Sequence, residues 1–297
     1  MKKICVLCPA VLFVFATVCA QNDAANIQSD TNIKGDTMPA VIQPAMKDKP
    51  QPVYKLNPAV DIPVTAIGTG WSLFAFTKIY SKDATPDETI LALNKNSVNG
   101  FDRWAIRPYS KKLDDISYLP FYASMPLPVL FLFDNKMRKD FGKLSFLYLE
   151  AMSITGLLYT GSTYFTNRYR PYVYSDETPL DQRTRGGGKN SFYAGHVALV
   201  ATSTFFMAQV YADYHPDSKA KWVFYTIAAA ATGTTAYLRH EGGQHFPSDL
   251  LLGIAQGTLT GLLVPRLHRN KLIKDPNLTI LPFTTGQSTG LAAVYKL

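Results

Sequence analysis

The chain has almost no sulfur chemistry. Its three cysteines, Cys5, Cys8 and Cys19, all fall within the first 19 of 297 residues. The remainder therefore excludes a disulfide, a thiol nucleophile and a thiolate metal site. Charge is scarce where the chain is most apolar: residues 144–166 carry only Glu150, and 222–238 carry none. There are no internal repeats. The formal charge is +8, with Lys2 and Lys3 supplying two of those charges. A basic excess of this size suits anionic lipids, phosphate esters or nucleic acid alike.

What is present divides the chain into four parts. Residues 1–20 read as a secretory signal: two lysines, an apolar run from Ile4 to Cys19, and small Val18 and Ala20 before Gln21. Export argues against a nucleic-acid partner. Residues 21–61 are polar and proline-containing and read as a flexible lead. Within 62–274, "ATPDETILALNK" predicts a helix start, with Thr85 as N-cap, Pro86 at the first position and Glu88 closing a capping box. Residues 275–297 have strand-prone residues on both sides of a Gly/Ser/Thr turn, which predicts a small C-terminal hairpin.

Long apolar blocks dominate the third part, at 116–133, 144–166, 191–211, 222–238 and 250–264, with an earlier one near 62–77. Their lengths overlap those of membrane-crossing helices, although the mean hydropathy of −0.02 also suits tightly packed buried ones. Either way the fold class is all-α, a bundle of about five to six long apolar helices. The basic turns 135–143, 215–221 and 266–274 share one end of it, which the positive-inside rule places in the cytoplasm. Residues 167–190 and 239–249 share the other. A cleaved signal leaves residue 21 outside, so a true span at 62–77 would invert this order. Gly68, Gly70 and Pro63 suggest that this block lies along the membrane or only partly within it.

Three stretches at the second end share a chemical theme. "NRYRPYVYS" holds Arg168 and Arg170; "KNSFYAGHVAL" holds Lys189, Gly195 and His196; "YLRHEGGQHFPSDLLLG" holds Arg239, His245 and Asp249. Arginines present forks of donors that match phosphate oxygens, and backbone NH groups around Gly195 open a helix. His245 and Asp249 stand four apart, so the carboxylate can hold one imidazole nitrogen and leave the other as a nucleophile. His196 supplies a second imidazole, suited to protonate a leaving oxygen. "HEGGQH" departs from the zinc pattern H-E-x-x-H by one residue, with Gln244 where the second histidine belongs. The "RTRGGGKN" run reads as a lid or hinge beside His196. His215 and His268 fall at the basic end and read as solvated.

In order and spacing, Arg170-Pro171, Gly195-His196 and Arg239-x5-His245-x3-Asp249 resemble the type 2 phosphatidic acid phosphatase superfamily, over roughly residues 116–268. That superfamily includes lipid phosphatases, bacterial acid phosphatases and vanadium haloperoxidases, with motifs K-x6-R-P, P-S-G-H and S-R-x5-H-x3-D. The resemblance implies a phosphohistidine on His245, orientation by Asp249, protonation by His196, and phosphate binding by Arg170, Arg239 and the Gly195 NH. It also implies no metal and no cofactor. Three positions depart: Thr163 for the lysine, Ala194 for the serine of the second motif and Leu238 for that of the third. A missing donor of this kind is worth roughly 3–4 kcal/mol in a closed site. Lys189 or Arg168 is expected to supply replacement charge.

The expectation is an envelope phosphatase acting on a phosphomonoester, one borne by a lipid such as phosphatidic acid, polyprenyl pyrophosphate or lipid A. It would sit in the inner membrane with its site facing the periplasm. The alternatives are a soluble periplasmic acid phosphatase and a non-catalytic anion- or lipid-binding homologue.

Overall fold

The computed structural model describes residues 52–270 in full, together with the backbone of two later strands. The expected signal at 1–20 and most of the lead lie outside the described residues. The helices run in the order α1 (Pro58–Ile79), α2 (Asp87–Leu91), α3 (Gly100–Arg103), α4 (Lys111–Ser124), α5 (Phe141–Phe165), α6 (Leu180–Arg183), α7 (Gly195–Tyr214), α8 (Lys221–Glu241) and α9 (Pro247–Leu267). The six long ones match the six apolar blocks, and the all-α class holds. Backbone pairing joins β1 (Leu278–Thr284) to β2 (Thr289–Tyr295) as an antiparallel hairpin.

The long helices alternate in direction. One end gathers the basic turns: His215 Nε2 lies 2.9 Å from Asp134, and Arg269 pairs with Asp213 at 2.9 Å. The other end gathers the three motif stretches. Helix α7 is the central post, with most of its residues buried, and α1, α4, α5, α8 and α9 stand around it.

Close approach of α7 and α9 depends on a glycine every fourth residue. A Cβ at Gly253, Gly257 or Gly261 would come within 2.7, 2.2 or 2.6 Å of a backbone oxygen of α7 or its N-cap Ala194. This small-xxx-small stripe is how helices pack where water supplies no hydrophobic drive. Buried hydroxyls add polar ties between α5 and α7, including Thr155 Oγ1 to Thr202 Oγ1 at 2.7 Å and Tyr148 to Ser203 at 2.9 Å.

Three stretches, Pro58–Ile79, Lys111–Phe133 and Pro247–Leu267, are long and apolar enough to cross a membrane. Large apolar side chains are exposed on the outer faces of α1, α4, α5, α8 and α9, among them Ile67, Leu119, Leu158, Ile227 and Leu259, whereas α7 exposes none. A surface so apolar around a core rich in hydroxyls is that of a membrane protein.

Three expectations need correction. The lead is shorter than its composition implied: Tyr54 is fully buried, donates to Asp213 at 2.8 Å, and α1 begins at Pro58. A proline in the first helical turn loses no hydrogen bond, so it opens the helix and does not mark a loose segment. The block near 62–77, read as a weak span, is one continuous helix long and apolar enough to cross a membrane. Gly68 serves packing there, since a Cβ would meet the Ser153 carbonyl oxygen at 2.9 Å. At α2, Pro86 is the N-cap residue and no side chain caps the helix; the Thr85 hydroxyl has no hydrogen-bond partner.

Candidate active site

The motif end of the bundle converges on His245, which lies in the short turn between α8 and α9 and is 2% exposed. Its Nδ1 is 2.7 Å from the Ser191 carbonyl oxygen. A carbonyl only accepts, so Nδ1 carries the proton and Nε2 is left with a free electron pair. Burial, and then the charges of Arg170 and Arg239, hold the His245 imidazole well below the usual histidine range. The ring is thus neutral at pH 7, as a nitrogen nucleophile must be.

Asp249 does not touch that ring. Its carboxylate accepts from the Ser191 hydroxyl at 2.6 Å, from the Phe246 NH at 3.1 Å and from Arg168 at 2.5 Å. The link to His245 therefore runs through Ser191, whose hydroxyl binds Asp249 and whose carbonyl binds the histidine. Ser191 is fully buried and was missed in the sequence because a lone serine before a helix carries no signal of its own.

Arg168 is fully engaged elsewhere. It bridges Asp249 and Asp102, the latter at 2.6 Å, and donates to Ser248 at 2.9 Å. Its expected role as replacement phosphate charge gives way to buttressing the turn that carries Asp249. Arg170 and Arg239 differ from it. Each has a buried Nε without a hydrogen-bond partner, and the charge of each acts on His245. Arg239 also pairs with Asp114 of α4 and donates to Ser117 at 3.1 Å. Arg170 borders a cavity of about 230 Å³ with Asp114, Tyr172, Arg185 and Gln244.

His196 stands in the first turn of α7. Its ring meets Tyr118 at 4.7 Å and Phe121 at 4.9 Å between centroids, both edge-on. Helix α4 therefore forms an aromatic wall on that side of the site. Gly195 is required because a Cβ there would lie 2.4 Å from the Tyr159 ring. The zinc pattern finds no support in the geometry: Glu241 pairs with Arg107, and His240 packs on Trp104 at 5.3 Å. His268 is not solvated but sits beside Asp61 and Glu150, with its side chain 13% exposed.

The sequence profile of the PAP2 superfamily matches residues 144–273. Residues 144–273 belong to the PAP2 superfamily. The match supports a phosphatase. No curated protein matches the sequence. Among solved structures, the first transmembrane PAP2-type phosphatidylglycerolphosphate phosphatase from Bacillus subtilis is similar. The identity is 18%, the TM-score 0.40, and the match covers 72% of this chain and 98% of that one.

Against the PAP2 motifs, Thr163 holds the place of the lysine. It is buried, and its hydroxyl donates to the carbonyls of Tyr159 and Phe192, each at 3.0 Å. A lysine is nevertheless close by, brought from outside the PAP2 region. Lys82, just after α1, donates to the Thr163 carbonyl at 2.9 Å and to that of Thr166 at 2.8 Å. Burial and neighbouring Lys189 lower its pKa. Lys189 makes no ion pair among the described residues and ends an ordered 3₁₀ turn, Gly186–Lys189. That glycine run is built under the Lys82 carbonyl, which a Cβ at Gly186 would approach to 1.7 Å. Ala194 is fully buried and packs against Gly253 of α9.

Proposed function

We propose that the protein is a membrane phosphatase that removes phosphate from a lipid-borne phosphomonoester through a phosphohistidine on His245. One observation carries this reading: a buried neutral histidine with a free Nε2 lies in the field of two arginines, and the buried Nε of each arginine lacks a partner. Such a pair of guanidiniums suits an anion with several oxygens.

The chemistry is two displacements at phosphorus. The Nε2 electron pair of His245 forms the P–N bond as the P–O bond to the leaving alcohol breaks. Burial and then the charges of Arg239 and Arg170 hold the His196 imidazole well below the usual histidine range, so in the free site it is neutral; it would take a proton from the phosphomonoester monoanion and pass it to the leaving oxygen. Neutral His196 then takes a proton from water, whose oxygen attacks phosphorus as the P–N bond breaks. Inorganic phosphate leaves and His245 is regenerated. Arg170, Arg239 and the Gly195 NH would bear the charge that develops on the phosphoryl oxygens. Asp249 acts through Ser191 to fix the His245 ring. Lys189 and Lys82 would supply further positive charge, since Thr163 offers none.

An apolar groove of about 280 Å³, bordered by Trp104, Tyr237, Leu251 and Ile254, opens between α8 and α9 at the same end. It favours an acyl-bearing substrate over a small soluble ester. By the positive-inside rule this end faces the periplasm. A non-catalytic anion-binding protein is the rival reading, favoured by the ion pair of Arg239 with Asp114 and by the missing lysine and serine.

The deciding experiment is phosphate release from phosphatidic acid, phosphatidylglycerophosphate, polyprenyl pyrophosphate, lipid A and small esters, comparing the protein with His245→Ala. Release from a lipid ester that disappears in the variant supports the proposal. Equal release from both proteins, or none from any ester in detergent and in vesicles, overturns it.

A further inference from the structure

The end of the bundle opposite the two histidines holds a second cluster that phosphate chemistry does not use. Asp61 from the first turn of α1, Glu150 from α5 and His268 at the end of α9 meet beside a cavity of about 580 Å³. Asp61 and Glu150 are 2% and 4% exposed. The His268 Nε2 lies 3.2 Å from Asp61 Oδ1 and 3.6 Å from Glu150 Oε2. One potential ligand atom from each residue falls within 4.8 Å of the others.

Hydrogen bonding fixes the state of the ring. His268 Nδ1 is 2.7 Å from the Val264 carbonyl oxygen, which can only accept, so Nδ1 holds a proton. In the neutral ring Nε2 then turns an electron pair toward two buried carboxylates. The Asn57 NH donates to Asp61 Oδ2 at 2.6 Å, whereas Glu150 Oε2 has no hydrogen-bond partner. Of the nearby cations, Arg269 is held by Asp213 at 2.9 Å, and Lys55 borders the cavity. A proton on Nε2 would offset one of the two negative charges and satisfy one carboxylate. A divalent cation would offset both and take all three electron pairs.

We propose that Asp61, Glu150 and His268 bind one divalent transition-metal ion, zinc or manganese by their chemistry. Two carboxylate oxygens and one imidazole nitrogen are a donor set for these ions. The separations of 3.2 and 3.6 Å bracket the roughly 3.4 Å edge of a tetrahedron with bonds of about 2.1 Å. The remaining coordination positions face the cavity, where water can fill them. The ion joins the first, third and last of the long helices running toward or from this end, so it is a staple of the fold. It takes no part in catalysis.

The test uses full-length protein purified in detergent through a tag that binds no metal. Elemental analysis of the wild type should find about one equivalent of zinc or manganese per chain, and the Glu150→Gln/His268→Gln variant should have lost it. EDTA should lower the melting temperature of the wild type, and added zinc or manganese should restore it. The inference is overturned if the wild type lacks metal and its melting temperature ignores both EDTA and added ions, or if the variant keeps its full metal content. Should the double variant not fold, the response of the wild type to EDTA and to added ions still decides. None of these readouts involves phosphate release, so this inference and the phosphatase reading fail separately.

Discussion

His245, Asp249 and Lys82 show how far individual residues were legible. The histidine was legible from motif spacing; its neutral state follows from burial, the charges of Arg170 and Arg239, and the Ser191 carbonyl at Nδ1. The route from Asp249 through Ser191 was not legible, because four-residue spacing says that two side chains are near, not which atoms meet. Lys82 was invisible for another reason: it reaches Thr163 from 81 positions earlier, a distance that no local pattern encodes. Lys82→Met should lower kcat/KM by about ten- to a hundredfold, the loss expected for one charged donor near the phosphate. Steady-state kinetics alongside Lys55→Met would check this, and equal loss in both would reduce Lys82 to general structure. The depressed pKa of His245 has a stability consequence. The unfolded chain takes up a proton as pH falls through about 6.5 while the folded ring does not, so acid weakens the native state. Melting curves between pH 8 and 5 should fall more steeply for wild type than for His245→Gln.

At the scale of helices, the apolar blocks forecast every long element, and the glycine spacing in "LLLGIAQGTLTGLL" was there to be read as a packing stripe. What composition could not supply was the destination of that stripe, since close approach is a property of two helices. Gly257→Ala should destabilise the bundle by about 1–3 kcal/mol, because its Cβ must displace backbone, not a side chain. Gly233 of α8, with nothing within 4 Å of its Cβ position, is the matched control, and Gly233→Ala should not lower the melting temperature in detergent, since alanine favours the helix. Helix α4 was read only as an apolar block, yet it places Asp114 on Arg239 and two aromatic rings on His196. Those contacts join elements far apart in sequence and became visible only in the fold.

For the molecule as a whole, sidedness is the property that the sequence left in conflict. The strap at residues 52–57 lies at the end of the basic turns: the Lys55 NH donates to the His268 carbonyl at 2.9 Å. The positive-inside rule therefore puts this strap in the cytoplasm and the histidines outside, whereas a cleaved leader would put it outside. With Cys5, Cys8 and Cys19 changed to serine, single cysteines at Lys219 and Glu177 can be labelled in intact cells with an impermeant maleimide. Labelling at 177 and not at 219 is expected, and the reverse pattern would turn the site inward. The same strap has a bearing on biosynthesis. The Asn270 NH bonds to the Val53 carbonyl at 3.1 Å and the Lys55 NH to the His268 carbonyl, so residues 53 and 55 find these backbone partners only after the last long helix has been made. A chain still on the ribosome can offer Tyr54 its partner Asp213 but not these backbone bonds, which makes closure of this seam a late event in assembly, after the helices have met.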